Sequence, residues 1–77
     1  MSIIPILRAR EVLQLLLRLK FRTIRQKGSH IILEHSLDKT RKVVVPFHNK
    51  DIKRGTLMAI LKQAKIPLKV FLKLLGQ

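Results

Sequence analysis

The sequence predicts an α+β fold: a three-stranded antiparallel sheet carrying helices on one face, in the order α-β-β-β-α with a short extra C-terminal helix. Three observations predict it. Apolar residues recur at helical spacing from Ala9 to Leu19, the period falls to two between Phe21 and Pro46, and helical spacing returns from Thr56. The chain has 77 residues, which allows one domain over 1–77. A chain of this size buries only roughly 60% of its unfolded surface, so its core is thin.

Residues 1–7 contain Pro5 and apolar side chains and read as an extended lead-in. In AREVLQLLLRL, from Ala9 to Leu19, Val12, Leu13, Leu15, Leu16, Leu17 and Leu19 fill a wide arc centred on Leu16. Arg10, Glu11, Gln14 and Arg18 take the other side. The arc exceeds one packing face, so Leu15 or Leu17 is expected to stay partly exposed. The runs FRTIR, HIILEH and RKVVVP, separated by QKGS and SLDKT, read as an antiparallel meander ended by Pro46. A basic loop, FHNKDIKRG, follows. Leu57, Ile60, Leu61 and Ala64 then form one helical stripe, with Gly55 or Thr56 expected as the cap. Pro67 restarts a last helix that turns Phe71, Leu74 and Leu75 inward.

Charge narrows the partners. Seventeen Lys and Arg face four acids, a formal net charge of +13. Such an excess repels itself in the compact state and attracts polyanions. The basic residues are densest around the meander and the loop after it, at Arg22, Arg25, Lys27, Lys39, Arg41, Lys42, Lys50, Lys53 and Arg54, which points to phosphate binding. With three Phe and neither Tyr nor Trp, backbone contacts are expected rather than a stacking platform. No run approaches the ~20 apolar residues of a transmembrane helix, and the apolar start is too short for a signal peptide. A cytoplasmic, soluble chain with no membrane partner is expected. Zero cysteines exclude disulfides and thiolate metal sites.

Most catalytic schemes fail on residue supply. Glu11, Glu34, Asp38 and Asp51 are scattered, so paired-carboxylate chemistry is out. There is no phosphate-cradling glycine loop and no zincin helix, and neither a metal nor a cofactor is expected. One scheme survives, because RNA carries its own nucleophile in the ribose 2′-hydroxyl. It requires a general base or acid and cations for the developing phosphorane charge. Histidine has the ordinary pKa for proton transfer near neutrality. His30, after the Gly28-Ser29 pair in RQKGSH, is the candidate, with Arg25 and Lys27 beside it. Gly28 allows close backbone approach to a phosphate, and the amides of Gly28 and Ser29 offer a small anion nest. His48, Lys50, Lys53 and Arg54 are further candidate RNA contacts. A strand histidine with no catalytic role, in a basic RNA-binding module, is the alternative. A basic amphipathic membrane binder ranks third, since the strands and the GSH segment serve no purpose in it.

Three segments together, RQKGSH at 25–30, VVVPFHN at 43–49 and KRGTLMAILKQA at 53–64, resemble the signature of HicA-type (YcfA-like) toxins. These are small mRNA interferases of toxin-antitoxin pairs. The likeness runs from REVLQLL to the closing FLKLL. It implies a fold similar to a double-stranded-RNA-binding domain, with the histidine of the GSH motif, here His30, as the catalytic residue. It further implies metal-independent cleavage of mRNA and neutralisation by a cognate HicB-type antitoxin, expected to be acidic. Two departures stand out. A glycine commonly precedes the first-strand Phe, where this chain has Lys20. The family's approach to the last helix, Gly-hydrophobic-Ser/Thr-x-Glu-Glu-Phe, is KIPLKVF at Lys65–Phe71 here, with lysine in place of acid.

Overall fold

A computed structural model describes residues 6–47 and 51–76. Its elements are β1 (Leu7–Arg8), α1 (Ala9–Arg18), β2 (Phe21–Lys27), β3 (His30–His35), β4 (Lys42–Pro46), β5 (Asp51–Ile52), α2 (Arg54–Ala64) and α3 (Leu68–Leu74). Strands β2, β3 and β4 form an antiparallel sheet in that order. This is the α+β arrangement the periodicities predict. Leu7 is extended, as expected of the lead-in, most of which lies outside the described residues. The strand pairing of Leu7 with Ile52 and Arg8 with Asp51 in a second, two-stranded sheet is not expected from the sequence. Both Leu7 and Ile52 are buried. Two-residue strands carry no periodicity, and only the packing of these side chains defines them.

The core lies between one sheet face and the helices. Val12, Leu15 and Leu16 of α1, Leu57, Ile60, Leu61 and Ala64 of α2 and Phe71 of α3 meet Phe21, Ile31, Leu33, Val43 and Val45. Of the two α1 leucines in question, Leu17 is the exposed one, at 47%. Of the three α3-end residues expected to turn inward, Phe71 is buried and Leu74 and Leu75 are half-buried against the core, while Leu72 is buried in addition. The Glu11 carboxylate accepts from the Arg8 N–H at 2.9 Å, closing the first turn of α1. The α2 cap differs from expectation: Lys53 occupies the N-cap with extended backbone, and Gly55 and Thr56 lie inside the first turn. The cap comes two or three residues early, at a Lys53 that follows β5 directly and keeps its extended backbone. No side chain caps α2 and no acid stands in its first turn.

Both family departures fall on strained backbone. Lys20, just past α1, has φ +73°, and Lys65, which ends α2, has φ +57°. In this left-handed region the Cβ of an L-residue crowds the following carbonyl, which is why glycine is preferred after helices. The local bonds hold regardless: Ser36 N–H donates to the Lys20 carbonyl at 2.8 Å, and Ile66 N–H to that of Leu61 at 2.9 Å. Arg41 ties the same end together, donating through Nε to the Ala64 carbonyl at 2.8 Å and placing its guanidinium 5.2 Å from the Phe21 ring centre. On the exposed edge of β4, Gln63 Oε1 accepts from Val44 N–H at 3.1 Å, which occupies a donor open to strand addition.

Candidate functional site

The Gly28-Ser29 pair is the two-residue turn of the β2–β3 hairpin, flanked by the Lys27–His30 pair. Gly28 has φ +58° and Ser29 a negative φ, the pattern of a type II′ turn, whose first central position favours glycine. A Cβ at Gly28 would touch nothing within 4 Å, so the glycine serves the turn geometry. The Ser29 carbonyl accepts from Phe47 N–H, which fastens the turn to the chain leaving β4.

The alternation along β3 sorts its histidines. Ile31, Leu33 and His35 face the core, while His30, Ile32 and Glu34 face outward. His30 is exposed at the head of the strand. His35 is 8% exposed, stacks edge-on against Phe21 with centroids 5.1 Å apart, and accepts at Nδ1 from Leu37 N–H at 3.1 Å. It is a packed, hydrogen-bonded core histidine. His48 and Lys50 lie outside the described residues.

Register places the cations around His30. Directly paired residues of an antiparallel sheet share a face, with Cβ atoms about 5 Å apart. Lys27 on β2 and Pro46 on β4 therefore flank His30 on the outer face. The next outward row is Arg25, Ile32 and Val44, and the third is Arg22, Glu34 and Lys42. Arg22 and Arg25 share a face despite their odd spacing, because the register shifts between Thr23 and Arg25, leaving Ile24 unmatched. Glu34 lies 3.9 Å from Arg22 and 3.6 Å from Lys42. The structure thus brings together His30, Lys27 and Arg25 of the expected set, next to the Gly28-Ser29 turn. Lys53 and Arg54 belong to another element, exposed at the start of α2. Arg22 and Lys42 belong to the basic cluster expected to bind phosphate but not to the expected site beside His30, and the bulge and the pairing place them on this face.

Beyond Phe21, every residue of β2 is exposed. Helices leave this part of the strand uncovered on its inner side too, and the hairpin tip stands out as a cationic arm. A groove of about 260 Å³ lined by Glu11, Gln14, Leu15, Arg18, Leu74 and Leu75 belongs to the α1–α3 side and holds no histidine. No helix is long and apolar enough to cross a membrane among the described residues. The family model described as HicA toxin of bacterial toxin-antitoxin matches residues 9–66, from the start of α1 to just past α2. No curated protein matches the chain.

Proposed function

Because the chain belongs to the HicA toxin family and is the toxin of a toxin-antitoxin pair with a cognate antitoxin partner, we propose that it acts as an endoribonuclease on mRNA, with His30 moving the proton. The exposed imidazole at the head of β3, level with Lys27 on the open sheet face, carries this reading. The 2′-hydroxyl gives up its proton and its oxygen attacks the adjacent phosphorus. The P–O5′ bond breaks and the 5′-oxygen takes up a proton, leaving a 2′,3′-cyclic phosphate and a 5′-hydroxyl. His30 serves as general base toward the 2′-hydroxyl or general acid toward the 5′-oxygen. Lys27, paired with His30, offsets the charge of the phosphorane, and Arg25, in the next row of the same face, helps to place the adjoining phosphate. Since the substrate supplies the nucleophile, the scheme requires no metal. The HicB-type antitoxin, an acidic protein in this reading, silences the toxin by covering the same cationic face.

Expression of wild type beside His30→Gln tests the proposal. Growth arrest and RNA decay should be lost in the variant, and wild-type products should end in 2′,3′-cyclic phosphates. Equal toxicity of the two proteins would refute the role of His30. Products with 3′-hydroxyl ends, formed only with added Mg²⁺, would replace the scheme by metal-assisted hydrolysis.

A further inference from the structure

The bulge in β2 has a chemical consequence. It places Arg22, Arg25 and Lys27 opposite Glu34, Ile32 and His30, which are alternate residues of β3. The three cations therefore stand at steps of about 6.8 Å along a line, close to the spacing of successive phosphates in an extended nucleic-acid strand. Beside that line runs an apolar strip of Ile32, half-buried, with Val44 39% exposed and Pro46 half-buried. At the far end Glu34 holds both Arg22 and Lys42, so one carboxylate faces two cations and that end stays net positive.

We infer that the outer sheet face is a track for single-stranded RNA: phosphates follow Lys27, Arg25 and Arg22 away from the cleaved bond at His30, and unpaired bases rest on Ile32, Val44 and Pro46. The inference rests on the reading of the chain as a toxin acting on RNA and adds the strandedness and footprint of its substrate. A duplex hides its base faces and gains nothing from the apolar strip, while a single strand uses both rows. The track extends about two phosphates to one side of the scissile bond.

The experiment is a binding titration at several salt concentrations, in the His30→Gln background, with a 12-nucleotide unstructured RNA and the same RNA annealed to its complement. Arg22→Gln and Arg25→Gln should each weaken single-strand binding roughly fourfold at physiological salt and flatten the slope of log K against log salt by about 0.7. Arg22→Lys should restore the slope, and Lys73→Gln, on exposed α3 surface, should leave it at the parent value. Val44→Ser should weaken the single strand more than the duplex. An unchanged slope in Arg22→Gln overturns the track. Loss of antitoxin binding in Val44→Ser, with RNA binding intact, overturns the strip and assigns it to the protein partner. RNA cut normally by the wild type, with the Arg22→Gln slope unchanged, ends this inference alone. The expected slopes with a wild type that never cuts RNA end the nuclease reading alone.

Discussion

Lys20→Gly is expected to stabilise the protein, against the usual direction for a glycine substitution. Lys20 has φ +73°, a conformation that costs an L-residue roughly 1–2 kcal/mol and costs glycine nothing. Glycine returns about 0.5–1 kcal/mol of that through the greater freedom of its unfolded chain. The net expectation is a gain of about 0.5–1 kcal/mol. For a chain of this size that corresponds to a rise of roughly 3–6 °C in Tm. The Lys20 backbone donates to the Leu17 carbonyl at 3.2 Å and accepts from Ser36 N–H at 2.8 Å, and glycine keeps both bonds. Removing one of 17 cations also relieves repulsion, so Lys20→Ala is the control: it loses the same charge and retains a Cβ. Urea denaturation in the His30→Gln background should order the variants Gly above Ala with unchanged m-values. Lys20→Gly no more stable than Lys20→Ala would refute the reasoning, since charge alone would then explain any gain.

Lys65→Gly should gain less than Lys20→Gly, because its Nζ donates to Thr40 Oγ1 at 3.0 Å and that bond goes with the side chain; the same denaturation series measures the difference. Leu33→Ala, at a residue with no exposed surface in the middle strand, should cost about 3–5 kcal/mol and is read from the urea midpoint. Glu34→Gln frees Arg22 and Lys42 from their shared carboxylate, so single-stranded RNA should bind more tightly and with a steeper salt slope. Hydrogen bonds from Thr40 Oγ1 and N–H hold the Asp38 carboxyl below its ordinary 3.8, with Lys65 and Arg41 adding to the effect. A depressed folded pKa gives stability that is present above 3.8 and lost as pH falls through the folded value. The stability gap between wild type and Asp38→Asn should therefore be open near neutral pH and close in acid, as followed by thermal melts across pH.

The amino-acid sequence alone determined the elements whose side chains repeat. The stripe of Leu57, Ile60, Leu61 and Ala64 and the strand HIILEH are each long enough to carry a period, and both are found with those residues buried or those bounds. The sequence likewise determined the cationic character and made His30 the candidate, since the GSH segment is local and the family pattern is carried by residue identities along the chain. Tertiary structure alone decided the rest. The β1–β5 pair joins residues more than forty positions apart through two-residue strands, too short for any pattern. Alternation puts His30 and His35 on opposite faces of β3, but the run HIILEH does not say which face is the core, and packing against Phe21 decides it. The bulge at Ile24 inverts the parity of β2, so whether Arg22 joins Arg25 and Lys27 depends on hydrogen-bond register across strands, which no run of side chains in one strand encodes.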